Sequence, residues 1–331
     1  MALTVPGTAL VTALVEDAVT APSMHNAQPW RFLHRAGGDT VEVHGDPART
    51  MPRADPVRRA LHLGVAAAVF NLRVGAAARG WSASVRLLPD ADDPWFLAQV
   101  ALRPATDPGE PDDLAALHPA LRLRHTSRHP FSEERVPGPV LDGLRCAALL
   151  EGAHLTVPGP WHLGTLRTLV HDAELSEAMD AGLRTEIAGW TRGRTDGTED
   201  AADGIPSSAL GPRQYGVSAP VRDFDTSRRT AGRTAARFEQ WPQIVILGTE
   251  EDRPADWMRA GQAMQRVLLR ATLDGLATSP MSQPLEWPEL RPTARDPLSP
   301  IGHVHMLIRL GYGPAGEATP RRPAGDVLDL V

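Results

Sequence analysis

The sequence predicts an α+β protein built from two related halves. An apolar helical pattern ends at Gly80, and a second one ends at Gly275, so that a shift of 195 residues places Ala76 on Ala271. Each pattern follows a strand-like region and precedes an irregular passage, as in a repeated supersecondary unit. We therefore expect two long helices that pack together through their small residues.

Composition excludes several classes of protein. The chain has 331 residues, of which 42% are hydrophobic, enough for one large or two ordinary domains. The net charge is -6, all 34 cationic residues are arginine, and no basic block predicts a nucleic-acid partner. Catalysis that needs a lysine side chain, including Schiff-base formation, is therefore excluded. The single Cys146 excludes an internal disulfide framework and cysteine-cluster metal sites.

The N-terminal residues do not resemble a targeting signal. Residues 1–15 carry no basic residue ahead of their short apolar run, so we expect no signal peptide. No stretch approaches 18 uninterrupted apolar residues, and we therefore expect no membrane span. A cytoplasmic protein is the expectation.

The first half, residues 1–111, reads as a helix, a buried helix and two hairpins. Asp55 can cap the buried helix, with Pro56 at its first position and Gly80 at its end. By their spacing and turn residues, the other expected elements are a helix at 9–19 and strands at 30–34, 40–44, 84–88 and 96–102.

The second half, residues 112–331, follows a Pro-rich linker at 104–111. Residues 191–234 are rich in Gly, Ser, Thr, Asp and Arg and nearly lack aliphatic periodicity, which is typical of a lid or a disordered segment. Tyr215 and Phe224 are its expected aromatic anchors. The other expected elements are helices at 114–123, 140–150 and 256–272 and strands at 243–248 and 304–310.

The loop at 21–30 is the most distinctive stretch. It reads Ala-Pro-Ser-Met-His-Asn-Ala-Gln-Pro-Trp, and its two prolines make it rigid. The polar groups of Ser23 and Asn26 either hold a ligand or satisfy the backbone of their own loop, and the residue types leave both interpretations open.

Two further patterns carry no functional prediction. Gly311, Gly313 and Gly316 have dinucleotide-binding spacing, but no helix follows them. His303 and His305 share a strand face without a third ligand at metal spacing, so no metal site is predicted.

The loop at 21–30, the arginine-rich segment at 124–128 and the turn at 275–278 together resemble the nitroreductase-like FMN flavoprotein family. The first half has the loop without the arginines, and the second half has the arginines without the loop. The resemblance therefore implies one FMN site rebuilt within a fused dimer. Residues 126–128, 279–286 and 311–323 are similar to the Acg-type branch, whose members are single-chain pseudo-dimers with a lid over the flavin.

The resemblance implies a role for each motif residue. Arg124, Arg128 and either Arg321 or Arg322 would bind the flavin phosphate, for which guanidinium groups are suited, although any one of them could equally be a surface arginine. The loop would contact the isoalloxazine ring, and backbone amides near Ser279 would face its N5 and O4 atoms. The implied cofactor-binding residues are Pro22, Ser23, Met24, Asn26, Gln28, Arg124, His125, Thr126, Arg128, Ser279, Pro280, Met281, Ser282, Glu286, Arg321 and Arg322.

The resemblance also implies an oxidoreductase. NAD(P)H would give hydride to flavin N5, and an electron-poor small molecule such as a nitroaromatic or a quinone would then accept electrons, with no side chain as a catalyst. The expected assembly is a monomer that acts as a pseudo-dimer. The main alternative is a lid-closed FMN-binding or flavin-sequestering protein with little reductase activity, and a third is an interaction scaffold with a vestigial site.

Overall fold

The structure is a computed structural model. It describes residues 5–105, 113–193, 197–198, 200–215, 221–225, 230 and 232–331. Most of the expected linker at 104–111, the boundary between the two expected halves and parts of the expected lid lie outside the described residues.

The described chain contains helices and strands in an α+β arrangement. The helices are α1 (Thr8–Ala18), α2 (Arg59–Ala77), α3 (Ala120–Leu123), α4 (Gly138–Leu149), α5 (Pro160–Met179), α6 (Ala181–Gly189) and α7 (Pro254–Leu273). The strands are β1 (Trp30–His34), β2 (Thr40–Gly45), β3 (Trp81–Leu87), β4 (Phe96–Pro104), β5 (His154–Thr156), β6 (Thr191–Arg192), β7 (Ile205–Pro206), β8 (Arg213–Gln214), β9 (Ala235–Ala236), β10 (Gln243–Thr249), β11 (Ala277–Met281), β12 (His303–Gly311) and β13 (Leu328–Leu330).

Two larger sheets organise these strands. The first has the order β13-β1-β2-β4-β3, and its antiparallel β1–β2 and β3–β4 pairs confirm the two expected hairpins. The second has the order β11-β12-β10-β5. Strand β13 pairs in parallel with β1, with Leu328 opposite Phe32, so the end of the chain completes the sheet formed by its beginning.

The long helices α2 and α7 pack directly against each other, as expected from the repeated pattern. A Cβ atom at Gly261 would lie 2.4 Å from the Leu63 carbonyl oxygen, so only glycine allows this close approach. Nearby, the buried Gln265 Nε2 donates to Asn71 Oδ1 at 2.7 Å. Helix α2 is long and apolar enough to cross a membrane, but 89% of its apolar window is buried inside the protein, as in a core helix.

The start of helix α2 differs from the expectation. Helix α2 begins at Arg59 and not at Pro56, because Arg58 adopts a left-handed conformation with φ of 62°. The Asp55 carboxylate still caps the helix, since it accepts hydrogen bonds from the backbone N–H groups of Ala60 and Leu61 at 3.0 and 2.9 Å.

The expectation of one continuous helix at 114–123 was wrong. It is a 3₁₀ turn at Ala115–Leu117 followed by the four-residue α3. Pro119 stands between them, and its missing N–H group removes a bond that a continuous helix needs. Helix α5, helix α6 and strands β5, β11 and β13 had no counterpart among the expected elements.

The close helix crossing predicts that a single added methyl group strongly lowers the stability of the protein. We expect Gly261→Ala to lower the free energy of unfolding by about 1–3 kcal/mol, because the backbone of α2 must move away. Gly143→Ala in α4 is the matched control, since no atom lies within 4 Å of its Cβ position, and alanine favours a helix by up to about 1 kcal/mol. Urea unfolding measures both, and a Gly261→Ala protein as stable as the wild type contradicts the prediction.

Candidate functional site

A cavity of about 940 Å³, including the part open to solvent, lies between the loop that follows α1, helix α2, strand β11 and the described part of the lid. The part of this space that a water molecule can occupy has a volume of about 120 Å³, so the cavity is narrow. The wall includes nine of the residues implied by the family resemblance: Pro22, Ser23, Met24, Thr126, Arg128, Ser279, Pro280, Met281 and Ser282.

The loop that forms one wall is held in a tight conformation. His25, Asn26 and Gln28 have φ angles of 49°, 56° and 53°, a left-handed conformation that is uncommon for residues other than glycine. Ser23 Oγ accepts a hydrogen bond from the Gln28 N–H group at 2.8 Å. The hydroxyl of Ser23 therefore satisfies its own loop, as one of the two interpretations expected.

Asn26 lies behind the cavity wall and joins three parts of the chain. Its Nδ2 donates to the carbonyl oxygens of Gly204 in the lid and of Pro320 in the tail, the C-terminal segment that follows β12, at 2.9 and 3.0 Å. Its Oδ1 accepts from Arg321 Nη1 at 2.8 Å. Both ends of the amide are thus used in holding the loop against the lid and the tail.

Gln28 makes a second link of the same kind. Its Nε2 donates to the Ala202 carbonyl oxygen in the lid at 2.7 Å, and its Oε1 accepts from the Arg322 N–H group in the tail at 2.8 Å. Neither Asn26 nor Gln28 lines the cavity. The structure therefore places both amides where they position the surrounding segments.

The segment at 124–128 runs in an extended conformation beside β11. Thr126 pairs with Thr278, and the Ser127 N–H group donates to the Thr278 carbonyl oxygen at 2.9 Å. Alternate side chains of an extended segment point to the same side. Thr126 and Arg128 accordingly both reach the cavity wall, whereas Arg124 is buried outside it.

The buried Arg124 and the partly buried Arg128 and Arg321 lack an acidic partner among the described residues. Within the described residues, no carboxylate oxygen lies within 4.0 Å of Arg124, Arg128 or Arg321, and the Nε atoms of Arg124 and Arg321 have no hydrogen-bond partner. Burial lowers the pKa of Arg124 and of Arg128 from 12.5 to about 10. Burial and the charge of Arg124 lower the pKa of Arg321 to about 9. A buried cation without a counter-ion is costly, so this arrangement favours a bound anion.

These arginines form two groups. Arg124 Nη2 and Arg321 Nη2 both donate to the Thr20 carbonyl oxygen, at 3.3 and 3.4 Å, and form the anion pair. Arg128 lies in the cavity wall, with its guanidinium carbon 5.1 Å from the centre of the Phe224 ring. Arg322 lies apart, 3.8 Å from the Asp46 carboxylate, so Arg321 is the tail arginine beside Arg124.

Two more residues implied by the resemblance lie outside the wall. His125 is half-buried, and burial together with the charges of Arg124 and Arg321 lowers its pKa. Glu286 is buried and accepts hydrogen bonds from Arg222 Nη1 at 2.8 Å and from Ser282 Oγ at 2.9 Å. Burial raises the pKa of Glu286, and Arg222 opposes that shift.

Sequence reasoning missed four of the polar and aromatic residues in the wall, which are His25, Arg222, Phe224 and Gln283. His25 stands inside the recognised loop motif and could have been included on that signal. Arg222 and Phe224 belong to a segment without periodicity, which gives no information on where side chains point. Tyr215, the other expected aromatic anchor of the lid, is 57% exposed.

Comparison with known proteins identifies the family. The family model described as "Nitroreductase family" matches residues 121–312. The chain belongs to the nitroreductase family. Among curated proteins, it is 30% identical to "Putative NAD(P)H nitroreductase Rv3131" of Mycobacterium tuberculosis H37Rv, over 98% of this chain and 92% of that protein. It is also 30% identical to "Putative NAD(P)H nitroreductase acg" of the same strain, over 98% of each chain.

A solved nitroreductase structure gives a weaker match. The FMN-dependent nitroreductase NfnB from Mycobacterium smegmatis, in complex with NADPH, is 18% identical with a TM-score of 0.40. The match covers 65% of this chain and 97% of NfnB. The nitroreductase assignment and the α+β fold expected from the sequence are confirmed by the family match and by the observed sheets and helices.

The site predicts an unusual titration for one histidine. Burial, followed by the charges of Arg222 and Arg128, lowers the pKa of His25 well below 6.5, because each disfavours the charged imidazole. We expect its ring to be neutral at pH 6.5 in the flavin-free protein. Histidine NMR titration tests this, with His25→Gln as the variant that assigns the signal.

The same shift links stability to pH. The unfolded chain binds this proton near pH 6.5 whereas the folded chain does not, so the contribution of His25 reduces stability as pH falls below about 6.5. His25→Gln should flatten that part of the stability profile. A His25 signal that titrates at or above pH 6.5 contradicts both expectations.

Proposed function

We propose that this nitroreductase-family protein is an FMN-dependent oxidoreductase that takes hydride from NAD(P)H and reduces an electron-poor acceptor such as a nitroaromatic or a quinone. One observation carries the proposal. The buried Arg124 and the partly buried Arg321 form a cationic pair that has no carboxylate partner among the described residues and adjoins the cavity. The names of the relatives Rv3131 and acg agree with this activity.

The residues present fit FMN. Its phosphate is a dianion, and the unpartnered Nε–H groups of Arg124 and Arg321 are donors that suit such an anion. Thr20 and Arg124 each stand two residues from a cavity residue, Pro22 and Thr126 respectively, so the anion pair adjoins the cavity. Apolar side chains such as Met24, Met264 and Met306 line the cavity and suit a flat ring system.

The flavin, when bound, supplies the hydride-accepting chemistry. This chain's residues bind and orient it. Arg124 and Arg321 hold the phosphate, while the loop at 22–25 and strand β11 form walls against the ring. The backbone amides near Ser279 and the cation of Arg128 are the polar groups of the wall that tune the electronics of the ring. Phe224, from the lid, reduces the access of water to the same space.

A single chain supplies the whole proposed site. The loop at 22–28 contributes one wall, and the segment at 124–128 and the tail at 320–322 contribute the arginines. We propose that residues 1–111 and 112–331 correspond to the two subunits of an ordinary nitroreductase dimer. The pairing of β13 with β1 supports this interpretation, because it links the end of the chain to its first sheet. We expect a cytoplasmic monomer.

The anion pair predicts that one substitution weakens FMN binding without lowering the stability of the flavin-free protein. Arg124→Met should weaken FMN binding by about 10- to 100-fold, because a charged hydrogen-bonding group is lost. The flavin-free protein should be as stable as the wild type or more stable, because a buried cation without a counter-ion is removed. Fluorescence titration with FMN and thermal unfolding measure the two effects.

Two controls sharpen this experiment. Riboflavin lacks the phosphate, so its affinity should be nearly the same for Arg124→Met and the wild type. Arg145→Met removes an exposed arginine that pairs with Asp142 on α4, and it should change neither property measurably. Equal losses of FMN and riboflavin affinity would assign Arg124 a purely structural role.

The proposed activity predicts a spectral change. The FMN-loaded protein should lose its absorption band at about 450 nm within seconds when it is mixed with NADH or NADPH under anaerobic conditions. An added quinone should then restore the band. A band that persists with both nucleotides but disappears with dithionite contradicts the reductase and supports a flavin-sequestering protein.

A further inference from the structure

Three residues in the cavity wall hold buried polar atoms that have no hydrogen-bond partner in the described part of the chain. These atoms are Nδ1 and Nε2 of His25, Nε of Arg222 and Oε1 of Gln283. His25 is only 6% exposed and Gln283 only 4%. Buried polar groups are nearly always paired, so such atoms on three residues of one cavity indicate contacts that a ligand completes.

The ring of Phe224 stands among these groups. It meets the His25 ring edge-on, with 5.3 Å between centroids and an interplanar angle of 89°. The guanidinium carbons of Arg128 and Arg222 lie 5.1 and 5.3 Å from its centre. An aromatic ring is attracted by both cations, but a phenyl group offers no oxygen or N–H group to the unpartnered atoms.

Phe224 and Gln283 also line a second cavity. This cavity has a volume of about 1890 Å³, including the part open to solvent, and lies between α5, α6 and the lid. The Phe224 side chain therefore stands at the boundary between the two cavities. A displaced Phe224 would connect them and uncover the polar atoms.

We propose that Phe224 occupies the binding subsite of the acceptor's ring, and that an uncharged planar molecule takes its place when the acceptor binds. This inference rests on the proposed function for naming the ligand an acceptor. The subsite itself rests on the contacts of Phe224, which the structure shows directly.

The unpartnered atoms specify the chemistry of this ligand. The Nε–H group of Arg222 and the N–H group of a neutral His25 require oxygen acceptors, such as those of a nitro or carbonyl group. Oε1 of Gln283 requires a donor, such as an amide or a hydroxyl group. A flat ring retains the contacts with Arg128 and Arg222.

On the side of the second cavity, the neighbouring charges act against a highly anionic ligand. Arg222 is already paired with Glu177 at 3.0 Å and with Glu286 at 2.8 Å, so it adds little net positive charge. Glu174 and Asp223 line the second cavity together with Glu177. A ligand that approaches from that side meets carboxylates, which favours a neutral ring over a phosphate-bearing molecule.

The test measures binding of 4-nitrobenzamide to the flavin-free protein by calorimetry. This probe has a planar ring, two kinds of oxygen acceptor and an amide donor, and it is uncharged. Phe224→Ala should bind it about tenfold more tightly than the wild type, because the subsite is then permanently open. Tyr215→Ala is the matched control, since Tyr215 is the exposed aromatic residue of the same lid, and it should leave the affinity unchanged.

A double variant tests the polar contacts. Phe224→Ala combined with Gln283→Leu should lose most of the tenfold gain, because the acceptor for the amide donor is removed. In the wild type, saturating probe should shift the His25 ring signals in NMR spectra, which gives a readout that needs no variant to fold. Equal affinities of Phe224→Ala and Tyr215→Ala, or unshifted His25 signals, overturn the proposal.

An FMN titration of the same proteins separates this inference from the proposed function. A wild type that does not bind FMN, with a Phe224→Ala variant that gains affinity for the probe, rejects the flavoenzyme and retains the aromatic subsite. FMN binding without any gain for the probe rejects the subsite and retains the flavoenzyme.

Discussion

The close crossing of α2 and α7 is the constraint on which the rest of the structure depends. Gly261 brings the helices together, and the buried Gln265 then donates to Asn71 at 2.7 Å. Asn71 in turn donates to Thr20 Oγ1 at 2.9 Å, at the end of α1. The carbonyl oxygen of Thr20 accepts from the two arginines of the anion pair. One continuous set of buried and partly buried polar contacts therefore connects the core to the candidate phosphate site.

The site combines two kinds of polar group with opposite energetic roles. The amides of Asn26 and Gln28 are satisfied by the lid and the tail, so they stabilise the closed arrangement. Arg124 and Arg321 have no carboxylate partner among the described residues, which reduces the stability of the ligand-free protein. Such a balance is expected where a binding site is formed before its anionic ligand arrives.

Much of the fold could be predicted because its signals are local. The hairpins, the two long helices and the strands at 243–248 and 304–310 were correct, since each has strong periodicity and clear turn residues. Helices α5 and α6 were missed. Helix α5 exposes several apolar side chains, including Trp161 at 78% and Met179 at 79%, which weakens its amphipathic pattern. The short strand β13 was missed because its partner β1 lies about 300 residues earlier in the chain.

The sequence by itself determined which chemistry is present. It supplied a rigid Pro-bounded loop, arginine as the only side-chain cation apart from histidine, and no residue pattern for metal or nucleophilic catalysis. Only the tertiary structure decided where each group points. It turned Asn26 and Gln28 away from the cavity, paired Arg124 with Arg321 and placed Phe224 beside His25. The physical reason is that burial and pairing depend on the lid and the tail, which lie up to about 300 residues from the loop, and no local periodicity reports such contacts.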